Sequence, residues 1–147
     1  MFSNTENIKT SIEAAVNEVR VNKKDSSFDV EVCPELPDLS LPGLKVVLTN
    51  LLNNSAESSR FNTNVKLNAA VHNKVIKLTI QDNGDGIPSD LLEKLLNGES
   101  ITTKTDGNGI GLSSAIKWAN RCGLTIDIKS KTIGNDRGTI IELGIPS

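Results

Sequence analysis

Apolar residues recur at helical spacing from Thr5 to Val21, with Ile8, Ile12, Ala15, Val16 and Val19 on one arc. The period then changes. In SSFDVEVCPELP, Phe28, Val30 and Val32 alternate with polar residues, which predicts a strand ended by prolines. Gly43 to Ser59 returns to helical spacing, with Leu44, Val47, Leu48, Leu51 and Ser55 on one arc. A hairpin follows: Val65, Leu67, Ala69 and Val71 alternate, His72-Asn73 turns the chain, and Ile76, Leu78 and Ile80 alternate again. Ser89 to Leu96 reads as a short helix capped by Ser89. Asn97 to Asn108 is polar and expected to be mobile. Ile110 to Cys122 is helical and stops at Gly123. Leu124, Ile126 and Ile128 form a last strand pair with Thr139, Ile141, Leu143 and Ile145, joined through the turn-rich GNDRG. This order predicts an α/β (α+β) two-layer sandwich, with helices on one face of a mixed, largely antiparallel sheet.

Three features break the pattern. Asp82 lies in phase with Ile76, Leu78 and Ile80, so its carboxylate points to the apolar face, where it needs a donor: a backbone N–H or a ligand amino group. Thr139 lies in phase with Ile141, Leu143 and Ile145 and is a second polar atom on an apolar strand face. Asn50, Asn53, Asn54 and Glu57 share a helix face opposite Leu44, Leu48, Leu51 and Ser55. Solvation is the ordinary reason for such a stripe, but asparagines at i and i+4 are poor helix formers.

The chain has 147 residues, enough for one domain with a real core, and a net charge of −2. There is no general basic field to draw in nucleic acid or an anionic membrane, so neither is expected as a partner. No apolar run approaches a membrane span, and MFSNTENIKT lacks the layout of a signal peptide. Cys33 and Cys122 are isolated and read as inert thiols in a reducing compartment, which points to the cytoplasm.

Chemistry concentrates in two glycine clusters, DNGDGIP (Asp82 to Pro88) and TTKTDGNGIGL (Thr102 to Leu112). Neither fits the G-x-G-x-x-G dinucleotide fingerprint, because the sixth residue from Gly84 is Ser89 and from Gly107 is Leu112. No Gly-Lys dipeptide exists, which excludes a Walker A loop. A calcium loop starting at Asp82 would need ligands where Gly84 and Gly86 stand.

The motifs resemble those of the ATP-binding domain of sensor histidine kinases. TNLLNNSAES (Thr49 to Ser58) is similar to its N box, DNGDGIP to its first glycine box, TTKTDGNGIGLSSA to its second, and RGTIIELGIP to its closing strand. The resemblance runs in order from Phe28 to Pro146. It implies the Bergerat fold of the GHKL ATPases, a group shared with type II topoisomerases, an ATP-dependent heat-shock chaperone and mismatch-repair MutL proteins.

What the resemblance implies for the site is specific. Asp82 would accept a hydrogen bond from the adenine amino group, with Thr139 supporting that contact. Gly84 and Gly86 would let the backbone approach the base, beside Ile87. Asn54 would hold Mg²⁺. Gly107, Gly109, Ile110, Gly111 and Leu112 would set free helix N–H groups against the triphosphate. Residues 89–108 would form a lid carrying Thr103 and Lys104. ATP and Mg²⁺ are the implied ligands. The chain would be one ATP-binding catalytic domain, 1–147, with a connecting helix in 1–24 and its core in 25–147. Its partners would be a histidine-bearing dimerisation domain and, indirectly, a response regulator, with no direct membrane contact by this domain. The pattern departs from the family at Glu57 and Ser58, where a phosphate-contacting lysine and an aromatic are common, and LLEKLLNGESI replaces the lid's aromatic box. Hydrolytic relatives place a glutamate base where Asn50 stands, and an amide cannot take a proton from water at neutral pH. His72, the one histidine, lies at a hairpin turn and is a poor phosphoacceptor. A standalone ATPase or protein kinase acting on a partner, and a non-catalytic nucleotide-binding module, stay open as alternatives.

Overall fold

The computed structural model describes residues 7–22, 26–34, 36, 43–56, 63–97, 108–134 and 137–146. Its elements are α1 (Ile8–Asn22), β1 (Ser27–Val32), α2 (Leu44–Ala56), β2 (Asn64–His72), β3 (Val75–Asp82), α3 (Ser89–Leu96), α4 (Asn108–Arg121), β4 (Thr125–Lys131) and β5 (Gly138–Pro146). The element order matches the one predicted from the sequence. The five strands form one sheet ordered β1-β2-β3-β5-β4. Only the β1–β2 pair is parallel; β2–β3, β3–β5 and β4–β5 are antiparallel. The sheet is therefore mixed and largely antiparallel, as expected.

Strand alternation decides which face is covered. Val65, Leu67 and Ala69 on β2, Ile76, Leu78 and Ile80 on β3, and Ile141, Leu143 and Ile145 on β5 are all buried. Between them Lys66, Asn68, Lys77 and Gln81 are exposed, so one face is packed and the other is bare. Three helices supply the second layer. α2 packs between α1 and α4 and rests on β2 and β3, while α1 reaches β1 and α4 reaches β4. Ile8, Ile12, Leu44, Leu48, Leu51, Leu52, Ile76, Leu78, Ile80 and Ile141 are fully buried. Each such side chain stabilises the fold by about 1.5–3 kcal/mol relative to its exposed state.

Local chemistry sets the element ends. Asn7 caps α1, its Oδ1 accepting the Thr10 N–H at 2.8 Å. α1, expected as a connecting helix, contributes Ile8, Ile12, Ala15, Val16 and Val19 to the same core as the sheet. The hairpin turn lies one residue later than its pattern suggested: Asn73 and Lys74 take φ of 52° and 67°, and His72 pairs with Val75 as the last rung. Two left-handed residues in succession match the strand twist, which is why the turn settles there. α3 begins with Leu92 N–H donating to Pro88 O at 2.9 Å, so Ser89 is its first residue and not its cap. α4 begins at Asn108, two residues before the predicted Ile110. It ends in a Schellman motif: Gly123 has φ 77°, its N–H donates to Asn120 O, and Leu124 N–H donates to Ala119 O. Leu124 is buried beneath this turn and leads into β4.

Candidate functional site

Register brings the polar exceptions together. Asp82 pairs with Val65 on one side and with Thr139 on the other, and Thr139 pairs with Ser130. These residues form one row across four strands, on the covered face. Asp82 is 4% exposed and Thr139 3% exposed, as their strand phase predicted. The Asp82 carboxylate accepts the Gly84 N–H at 2.9 Å, an Asx turn that starts the loop after β3. Asn83 steadies the neighbouring strand end, its Oδ1 accepting the Asn64 N–H at 2.8 Å.

The loop from Asn83 to Pro88 is held against the β4–β5 hairpin. Ile87 N–H donates to Ser130 Oγ at 2.7 Å, and Ser130 Oγ also lies 2.8 Å from Thr139 Oγ1 and 3.0 Å from Gly138 O. Gly86 takes φ 81°, and a Cβ there would collide with the Lys131 carbonyl. The resemblance gave Gly86 to close approach of a base. The structure adds a nearer reason, since the backbone of Lys131 and Thr132 occupies that space. Gly138 is constrained in the same way by the Asp82 carbonyl. Arg137 and Asp85 approach to 3.9 Å across the same seam, an exposed pair contributing at most about 1 kcal/mol.

Helix directions bring the remaining residues to the same end. A Cβ on Gly43, before α2, would meet Cys122 Sγ, after α4, so the two helices run antiparallel. The C-terminal half of α2 therefore lies beside the N-terminus of α4. That end of α2 sits over the polar row, because Ser26 Oγ reaches Ala56 O at 3.5 Å and Ser27 pairs with Asn64, one residue from Val65. Asn54 is thus placed between the start of α4 and the sheet end that carries Asp82. It is 8% exposed, and Asn50 and Asn53 are half-buried. The asparagine stripe is not a solvated face. α2 is covered on both flanks as well as below, burying Leu52 and Ala56 along with the predicted arc.

Gly109, Ile110, Gly111 and Leu112 lie inside the first turns of α4 rather than ahead of it. Their N–H groups include those that a helix leaves without an internal acceptor, which suits an anion. Thr103, Lys104, Gly107 and Glu57 lie outside the described residues, as does the 98–107 part of the lid expected over 89–108. His72 ends β2 at the far end of the sheet from Asp82, roughly 23 Å away at about 3.3 Å per strand residue. A hollow of about 390 Å³ also opens near this sheet end, but Lys66, Gln81, Lys129 and Ile140 in its lining point to the bare face. Asp82, Ser130 and Thr139 of the polar row also border it.

The family described as "Histidine kinase-, DNA gyrase B-, and HSP90-like ATPase" matches residues 40–147. The chain belongs to this family. Among curated relatives, sensor histidine kinase Hik2 of Thermosynechococcus vestitus is 31% identical over 135 residues, covering 88% of this chain and 35% of the relative. Histidine protein kinase SaeS of Staphylococcus epidermidis is 27% identical over 135 residues, covering 86% of this chain and 38% of the relative. The chain thus spans little more than a third of the length of these two kinases. Among solved structures, the mycobacterial sensor histidine kinase MprB superposes with a TM-score of 0.77 at 25% identity, covering 95% of this chain and 94% of that one. The nucleotide-free catalytic domain of histidine kinase ThkA gives 0.77 at 26% identity, covering 95% and 92%. The fold is that of a histidine kinase catalytic domain, and membership of the family implies ATP as its ligand.

Sequence reasoning placed Asp82 and Thr139 on the covered face but passed over Ser130 and Gly138 beside them. The signal for Ser130 was present: it continues the phase of Ile126 and Ile128. Gly138 carried none, because its neighbour across the seam is a backbone carbonyl fixed only by the tertiary fold.

Among the described residues no group of three or more histidine, cysteine or carboxylate side chains converges to hold a metal. A hard cation at this end would take the Asn54 amide oxygen and complete its shell from phosphate and water, which is how Mg²⁺ is ordinarily held beside a nucleotide. A buried side-chain amide on α2 at this end of the sheet fits that use.

Proposed function

We propose that this chain binds Mg·ATP and donates the γ-phosphoryl group to a histidine on a separate helical dimerisation domain, from which a response regulator is charged. The observation that carries this reading is the polar row at one end of an otherwise aliphatic sheet, beneath the start of α4 and beside Asn54. Asp82 accepts from the adenine amino group, and Thr139 stands beside it. The N–H groups opening α4 face the phosphates. Asn54 supplies an oxygen to Mg²⁺, which when bound neutralises phosphate charge. Phosphoryl transfer is mostly positioning and charge neutralisation, so few reactive side chains are required.

Asn50 matters for what it does not do. An amide is no general base, so the site holds ATP without activating water and waits for an acceptor. His72, at the far end of the sheet, is not that acceptor. Incubation with γ-labelled ATP tests this directly. Alone, the chain is expected to bind ATP, release phosphate very slowly and carry no label. Supplied with the helical histidine domain of its parent kinase, it is expected to transfer label in acid-labile form. Rapid phosphate release by the chain alone would move the reading to the hydrolases of this family. Stable label on His72 would contradict the claim that the acceptor lies elsewhere.

A further inference from the structure

Ser130 makes three polar contacts through one oxygen, and a hydroxyl has one proton and two lone pairs. Ile87 N–H, which can only donate, lies at 2.7 Å and takes one lone pair. Gly138 O, which can only accept, lies at 3.0 Å and takes the proton. The 2.8 Å contact with Thr139 Oγ1 is then closed in one way, with Thr139 donating into the second lone pair. This assignment satisfies every atom. The reverse, with Ser130 donating to Thr139, leaves Ser130 and Gly138 as two oxygens 3.0 Å apart with no proton between them.

The consequence falls on Thr139, which has one hydroxyl proton. With that proton turned toward Ser130, Thr139 offers lone pairs beside Asp82, its register partner. An ionised Asp82 also only accepts. We infer that Ser130 is a specificity-determining positioning residue: by drawing the Thr139 proton away, it makes the Asp82–Thr139 edge acceptor-only. Against the six position of a purine, such an edge accepts from the amino group of adenine and offers no donor to the carbonyl of guanine. The same serine anchors the loop through Ile87, so loop position and proton direction are set by one side chain. This inference rests on the nucleotide reading of the site.

The test is calorimetric titration of the full chain with non-hydrolysable ATP and GTP analogues. The proteins compared are the wild type, Asp82→Ala, Ser130→Ala, Ser130→Thr, Ser130→Cys, Thr139→Val and the Ser130→Ala/Thr139→Val double variant. Ser130→Ala frees the Thr139 hydroxyl to donate toward a carbonyl, so the ATP-to-GTP affinity ratio is expected to shrink by about threefold to tenfold, the worth of one hydrogen bond. Ser130→Thr, which keeps the hydroxyl, retains the ratio. In the Thr139→Val background, Ser130→Ala leaves the ratio where Thr139→Val put it. Ser130→Cys keeps the volume but accepts poorly, narrows the ratio in the same direction, and serves should the alanine variant not fold. A purely structural Ser130 would lower both affinities by one common factor in either background, and that outcome overturns the inference alone. A wild type without ATP preference, or one whose binding Asp82→Ala does not change, overturns the nucleotide reading and this inference with it.

Discussion

The two ends of the central β2–β3–β5 sheet obey one register and carry opposite chemistry. Toward the Asn73–Lys74 turn, successive covered rows read Val71–Ile76–Ile145, Ala69–Leu78–Leu143 and Leu67–Ile80–Ile141. These are the aliphatic rows that a helix layer requires. The next row reads Val65–Asp82–Thr139 and continues to Ser130. Nothing in the backbone changes between the third and fourth rows; the side chains do. Desolvating a carboxylate is costly, and an apolar residue would pack there without that cost. The aliphatic rows hold the fold together. On the proposed reading the polar row gives up stability for recognition, and the Gly84 N–H donated to the Asp82 carboxylate offsets part of the cost of burying it.

The sharpest way to break this comparison is to mutate adjacent rows. Asp82→Ala is expected to weaken nucleotide binding by about tenfold to a hundredfold while leaving the unfolding midpoint within a few degrees of wild type. The bond lost is charge-assisted, worth about 1.5–3 kcal/mol. Asp82→Asn should also lose binding, since its amide either presents a donor to a donor or forfeits the charge. Ile80→Ala, two residues earlier on the same face and fully buried, is expected to do the reverse. It should cost about 2–5 kcal/mol of stability, with the folded fraction still binding ATP. Denaturant unfolding and calorimetry on both variants separate the roles. If Asp82→Ala unfolded the chain and Ile80→Ala spared it, the two rows would have been assigned the wrong way round.

Much of this was legible in the sequence, for a physical reason. Side-chain alternation is a local property, so a carboxylate in phase with Ile76, Leu78 and Ile80 announces its own burial. The predicted helices and strands recur for the same reason. Parallel pairing of β1 with β2, and the place of β5 between β3 and β4, rest on contacts between distant segments and leave no local trace. The burial of Asn54 was not legible from the asparagine stripe alone, because helical periodicity shows which arc is apolar, not how many neighbours a helix has. With α1 and α4 on its flanks, α2 buries Asn54 as well. Ser130 was overlooked because a serine at the last inward position of an edge strand looks like an ordinary strand end.

A smaller effect sharpens the comparison on the helix side. Asn54→Ala is expected to weaken ATP binding mainly when Mg²⁺ is present, and Asn54→Asp to retain part of it, because oxygen is the ligand the cation requires. Affinity measured with and without Mg²⁺ reads this out. An equal loss in both conditions would remove Asn54 from the metal and leave it a packing role beside α4.

The most direct test of the central claim, that the polar row reads the adenine base, is calorimetric titration of the wild-type chain with ATP and GTP analogues in Mg²⁺. Guanine carries a carbonyl where adenine carries the amino group, so the account predicts that the ATP analogue binds at least about tenfold more tightly, the loss of one charge-assisted hydrogen bond. Equal affinity for the two would contradict it.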